Sequence, residues 1–403
     1  MPKPTSTARF RRFRLALLWG LALIASWSAQ AQSAPLETGC QIAPDPGWSA
    51  GEKWAWSERL CRGERADFNE MPGCAAAPRT DQADGWPACR TLSGRFLRTI
   101  LAAAPWRDAA PGSWIIVENA RFADPVNLSG LTVASPLLLR ASRLEGGIDA
   151  NRAVFEQFVA LGGSAAGGKV NFSQSVVKHN LFARNGAFPT FNAAGARIGG
   201  NLEIDGSRSA GGVDLNGADI GGSIIAANGD YGKLVAANVK TGGGLFLDGS
   251  RFSDALLDGV RIGGDFSAAR ADFSGVVDLS FARFGRDLAL SGGKYVAVDA
   301  PGLHVGGQLR LGDRRRGAVI WRGDSRLNLR GAQAAALTDA PDSWLGLRDF
   351  DLTGFTYNRL GAFAMPDDPA DISRRDAAWY ADWLGRSAGP SSQPYEALAA
   401  ALA

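Results

Sequence analysis

Between Ala196 and Gly312 one ten-residue phrase recurs six times: ARIGGNLEID at 196–205, ADIGGSIIAA at 218–227, VKTGGGLFLD at 239–248, VRIGGDFSAA at 260–269, ARFGRDLALS at 282–291 and LHVGGQLRLG at 303–312. Successive starts lie 22, 21, 21, 22 and 21 residues apart. A fixed period of this length marks supersecondary units stacked on one another, each too small to bury its apolar face alone.

The third, seventh and ninth places of the phrase are mostly apolar, as in Ile198, Leu202 and Ile204 or Phe284, Leu288 and Leu290. Places seven and nine alternate as in a short strand. A helix would need apolar residues three and four apart over several turns, and the glycine pair at places four and five would cost it roughly 1 kcal/mol per glycine. That pair, Gly199-Gly200 or Gly263-Gly264, is expected to turn a corner at positive φ. A weaker echo trails the phrase by 11 residues, as SRSAGGVDL from Ser207, GDYGKLVAA from Gly229, SRFSDALLD from Ser250 and ADFSGVVDL from Ala271. Each turn is therefore two half-turns. The register extends back through SVVKHNLFA at 175–183, AVFEQFVAL at 153–161 and LTVASPLLL at 131–139. Roughly nine coils at ~4.8 Å each, with degenerate turns up to Tyr357, give a column on the order of 45 to 55 Å long. The expected fold is an all-β parallel solenoid over 116–357.

Residues 1–31 read as a secretory signal peptide. Lys3, Arg9, Arg11, Arg12 and Arg14 precede an apolar run from Leu15 to Trp27, and Ala29-Gln30-Ala31 forms a small-x-small cleavage site. The run is shorter than the roughly 20 apolar residues of a membrane span, so the mature chain is expected to be periplasmic or extracellular, with no transmembrane segment. Cleavage takes away five of the 43 basic residues and none of the 40 acidic ones, moving the formal charge from +3 to −2. The electrostatic argument for a nucleic-acid partner disappears with it.

Residues 32–115 form an expected capping domain holding all four cysteines, Cys40, Cys61, Cys74 and Cys89. Two disulfides are expected in an exported segment of this size. Three pairings are open, with Cys40–Cys61 and Cys74–Cys89 preferred. Zinc is the competing reading, but the segment has no C-x-x-C spacing and no histidine, so no metal is expected. GEKWAWSERLCRG and LSGRFLRTILAAA read as helices covering the open first coil, since unpaired sheet edges polymerise unless covered. The tryptophans here, Trp48, Trp54, Trp56, Trp86, Trp106 and Trp114, belong either to that cap or to a sugar-stacking surface. The tail, 358–403, is expected to be helical, with Asp371 or Ser373 as the first N-cap.

The A-D-[LF]-x-x phrasing, seen in ADFSG at 271 and GADIGG at 217, resembles the pentapeptide-repeat class. That resemblance implies a right-handed, four-sided β-helix, with extra residues at the corners of these longer turns. RLCRGERADFN at 59–69, LSGRFLRTIL at 92–101, the IGG phrases and the tail FDLTGFTYNRL with QPYEALA resemble a set of bacterial repeat proteins over nearly the whole chain, some labelled membrane-associated oxidoreductase. The label implies redox chemistry, yet no G-x-G-x-x-G joins a strand to a helix here, and no cofactor is expected.

Catalytic signatures are sparse. His179 and His304, the only histidines, are separated by about six coils, on the order of 29 Å, and cannot share a site. H-E-x-x-H and G-x-S-x-G are absent. Place six reads Asn201, Ser223, Gly244, Asp265, Asp287 and Gln308. Asp265 and Asp287, one coil apart, would suit a retaining glycosidase or a calcium site, or else are solvated corner residues. Place two reads Arg197, Asp219, Lys240, Arg261, Arg283 and His304, and like charges stacked at ~4.8 Å repel unless neutralised. Asp265 and Asp287 are expected to quench them. The equivalent row of the other half-turn, Arg208, Asp230, Arg251, Asp272 and Lys294, alternates in sign. The function expected is a non-enzymatic exported scaffold or binding protein of the cell envelope, taking an anionic polysaccharide or another envelope protein through the basic row. The alternatives are a carbohydrate-active β-helix enzyme (polysaccharide lyase or glycosidase) using Asp265 and Asp287, and a redox protein.

Overall fold

The computed structural model describes residues 40–109, 113–361, 371–387 and 391–402, and the described chain belongs to one compact unit. The signal-peptide reading of 1–31 lies outside the described residues.

Each lap contains four two-residue strands separated by corners. One lap runs through Arg197–Ile198, Leu202–Glu203, Arg208–Ser209 and Val213–Asp214 before the next begins at Asp219–Ile220. These strands pair in parallel with their equivalents one lap away, so that Arg197 faces Asp219, Leu202 faces Ile224, Arg208 faces Asp230 and Val213 faces Leu234, while Gly312–Asp313 and Gly317–Ala318 form an antiparallel pair. The result is a parallel β-solenoid of about 11 turns. It begins earlier than residue 116: Ala66–Asp67 pairs with Val117–Glu118, and Thr91–Leu92 with Arg121–Phe122. The capping segment thus contributes rungs of its own.

Inward places are filled as the pattern demands. Ile198, Leu202, Ile204, Phe284, Leu288 and Leu290 are all buried. In the echo, Tyr231, Phe252, Phe273 and Tyr295 stack down the interior with ring centroids 5.1, 5.2 and 5.4 Å apart. The buried hydroxyls donate to main-chain carbonyls, Tyr231 to Ile204 and Tyr295 to Ala268, which removes the penalty of an unpaired polar group.

The glycine doublets do not adopt positive φ. The left-handed corners fall instead at Gly195, Gly206, Gly217, Asn228, Asn238, Gly249 and Gly259. The doublet is required by crowding between laps. A Cβ on Gly221 would sit 2.2 Å from the carbonyl oxygen of Gly199, and one on Gly242 would sit 2.4 Å from that of Gly221. From Gly199 on, a column of glycines at the fourth place, each against the carbonyl below, nests these corners, whereas two earlier laps carry Glu156 and Lys178 there.

Both ends are covered. At the N-terminal end an α-helix, Ala50–Trp54, continues through Ala55–Arg59 and Leu60–Arg62, its start fixed by a capping box between Ser49 and Glu52. Helix Gly94–Ala102, N-capped by Ser93, packs on the strand Val126–Asn127, and Ser93 donates to Glu52 of the first helix. Trp48 and Trp56 are buried, with Trp48 meeting Phe96 edge-on at 4.8 Å. Burial excludes a sugar-stacking role for Trp48, Trp56 and Trp86, Trp54 and Trp106 are partly buried against the core, and Trp114 is 49% exposed. Disulfides join Cys40 to Cys61 and Cys74 to Cys89, cross-links consistent with a location outside the cytoplasm.

At the other end helix Ala377–Gly385 is N-capped by Asp376, while Asp371 caps the preceding turn Ile372–Arg374. Helix Gln393–Leu402 lies on the last first-side strand, Thr356–Leu360, and Gln393 accepts from Gly354 N and donates to Phe355 O. Trp383 packs on Trp344 at 5.1 Å. The Asp339 carboxylate, fully buried, meets Arg375 at 3.0 Å and accepts from the Trp344 indole at 2.7 Å. No helix among the described residues is long and apolar enough to cross a membrane.

Two measurements check this architecture. Gly221→Ala should lower stability to urea by about 1 to 3 kcal/mol through overpacking, whereas Gly385→Ala, with nothing within 4 Å of the new methyl, should not. Burial raises the Asp339 carboxyl to about 7, with Arg375 and Trp344 opposing the shift. The folded protein holds that proton to higher pH than the unfolded chain, so stability should fall as pH rises from about 4 to about 7. Urea midpoints at about pH 5 and about pH 8 should differ in that direction, and Asp339→Asn should flatten the difference.

Candidate functional site

The second place of each phrase is the outward half of a two-residue strand whose other half points into the core. Lap-to-lap pairing sets these outward side chains directly above one another. Asp219 faces Lys240, Lys240 faces Arg261, Arg261 faces Arg283, and Arg283 faces His304. All are exposed. Arg197 continues the row beyond Asp219.

Beside this row runs the glycine column. Because Gly221, Gly242, Gly263, Gly285 and Gly306 carry no side chains, the surface drops to the main chain there and leaves an open groove of about 620 Å³. Lys240, Arg261, Arg283 and His304 form its wall, and Asp219 stands at one end. Three charged rungs, Lys240, Arg261 and Arg283, with His304 as a fourth, make an edge on the order of 14 Å long at ~4.8 Å per rung, parallel to the column axis.

The side chains of Lys240, Arg261 and Arg283 have no ion-pair or hydrogen-bond partner among the described residues. The other outward row behaves differently. Arg251 meets Asp230 at 2.6 Å, Lys294 meets Asp272 at 3.8 Å, and Arg208 turns to Asp81 at 3.5 Å. One row is neutralised by its own alternation of sign, and the other keeps its positive charge.

Asp265 and Asp287 do not quench that charge, contrary to the expectation above. Asp265 pairs with Arg286 at 3.8 Å, and Asp287 pairs with Arg310. Each also holds the next corner: Asp287 N donates to Asp265 Oδ1 at 3.0 Å, and Gln308 N donates to Asp287 Oδ1 at 2.8 Å. The same rung is made lower down by Asn180 to Asn201 N, Asn201 to Ser223 N and Ser223 to Gly244 N. Place six is therefore a vertical hydrogen-bond ladder that fixes the corners, and the two carboxylates are its acidic members. Both oxygens of Asp287 and Oδ1 of Asp265 are engaged by main-chain donors and guanidinium groups. No group of three or more His, Cys, Asp or Glu suited to a metal ion occurs among the described residues.

His179 is exposed at a corner and takes no part in the groove, while the neighbouring Lys178 pairs with Glu156. The sequence reading found the wall of the groove and missed its floor. The signal was present, since glycine holds the same place in successive laps, but it was assigned to corner conformation alone.

Comparison with known proteins yields no matching family model, no matching curated protein and no matching solved structure. The resemblance to pentapeptide-repeat proteins stays an expectation from the sequence.

Stacked, unpaired like charges leave a thermodynamic trace. Arg261→Glu should raise the melting temperature at low ionic strength by relieving repulsion from Lys240 and Arg283. The gain should fade at about 1 M salt, where the Debye length is about 3 Å. Arg251→Glu, which breaks a formed pair, should not raise it.

Proposed function

We propose that this chain is an exported, non-enzymatic β-solenoid that binds an anionic polymer of the cell envelope along the groove walled by Lys240, Arg261, Arg283 and His304. The observation that carries this reading is the uninterrupted row of cations left without partners beside a glycine floor, on a column whose other basic row neutralises itself. The two disulfides and the signal-like residues 1–31 support export.

The row works through preorganisation. Main-chain hydrogen bonds between laps hold the cations at a fixed spacing, so little ordering is required when a ligand arrives. Repulsion among the rungs is relieved when a polyanion replaces solvent counter-ions. An extended polymer lying along the column meets several rungs at once, and linked contacts of this kind reinforce one another. The glycine floor lets the polymer approach the wall without displacing side chains.

Purified protein expressed from the full-length sequence should bind immobilised polygalacturonate and not neutral dextran, with affinity falling as salt is raised. The triple variant Lys240→Glu, Arg261→Glu, Arg283→Glu should lose at least about tenfold in affinity, while Arg251→Glu binds as wild type. Unchanged binding by the triple variant removes the row as the site.

A further inference from the structure

Phe281 stands beside the cationic row under conditions that folding alone does not call for. Its side chain is 68% exposed, and its backbone is left-handed, with φ at +57°. That conformation is unfavourable for a bulky L residue. At the same corner the nearer laps use Gly217, Asn238, Gly259 and Gly302, and two earlier laps use Arg152 and Gln174. What sets Phe281 apart from the other residues at this corner is a large apolar ring held mostly in water, the kind of exposed aromatic face that binding surfaces use.

The placement of the ring is specific. Phe281 lies in the turn two residues before Arg283. Its ring lies over Gly302, where a Cβ would come within 2.7 Å of Phe281 Cδ1. Gly302 in turn precedes His304 by two residues. The ring therefore reaches from the lap of Arg283 to the turn that precedes His304 one lap on.

Resting on the proposed function, we infer that the polymer is a polyuronate-type acidic polysaccharide, with Phe281 as the platform for one pyranose ring and the cations as partners for carboxylates. The face of an aromatic ring is electrostatically negative and its surface apolar. It attracts the C–H-bearing face of a pyranose and gives nothing to a phosphate. A chain that carries a carboxylate and an apolar ring face in every unit satisfies both features of this surface. A polyphosphate satisfies only the cations.

The test compares wild type, Phe281→Gly and Phe281→Trp on immobilised polygalacturonate and on polyphosphate chains of matched charge, with melting temperature as a control. Glycine is native to this corner in neighbouring laps, so Phe281→Gly should keep or raise the melting temperature. Its affinity for polygalacturonate should fall about tenfold, the size of a stacking contact, with polyphosphate binding unchanged. Phe281→Trp should restore polygalacturonate binding. If Phe281→Gly binds polygalacturonate as wild type does, or loses both polymers equally, the stacking role is overturned and the cationic site stands. If wild type binds neither polymer, the proposed function itself falls.

Discussion

Parallel main-chain pairing between residues one lap apart is the constraint on which every other feature of this molecule depends. It holds successive laps at ~4.8 Å and turns distance along the chain into height along a column. Vertical rows of chemically equivalent places follow. Inside they are aliphatic and aromatic, with rings from Tyr231 to Tyr295 stacked face to face. At the corners they are glycines pressed on carbonyl oxygens and polar side chains that reach the amide one lap on. A residue in such a row is selected by the residues above and below it as much as by its neighbours in sequence.

The same geometry makes charge patterning consequential. Two outward rows carry comparable numbers of basic residues, yet alternation with aspartate closes one into ion pairs, and the unbroken run of Lys240, Arg261 and Arg283 leaves the other open. Stacked like charges work against folding, and in the function proposed above an external polyanion would offset them. The glycine column that nests the corners also clears the approach to that charged wall, so one set of residues serves packing and access together.

A column of paired strands has two raw edges, and the chain covers both with material unlike the repeat. Tryptophans, helices and two disulfides cover the first laps, while Trp383 on Trp344 and the buried Asp339–Arg375 pair anchor the last. Covered ends confine strand pairing to the chain itself and leave the sides as the surfaces free to bind.

The period of the repeat was enough to place Lys240, Arg261, Arg283 and His304 in one row and to assign the inward residues, because lap pairing is a one-dimensional rule that counting residues can apply. The cysteine pairing preferred from sequence order also agrees with the structure. What only the tertiary structure decided depends on directions in space. The doublet glycines answer to a carbonyl in the lap below rather than to their own φ. Asp265 and Asp287 turn to Arg286 and Arg310 because the corner aims them at those side chains and at amides above, away from the cations. The early start of the column at Ala66 and the position of the Phe281 ring over Gly302 involve contacts that no periodicity encodes. Spacing in sequence determines who shares a row, and only the fold of each corner determines which way a side chain in that row can reach.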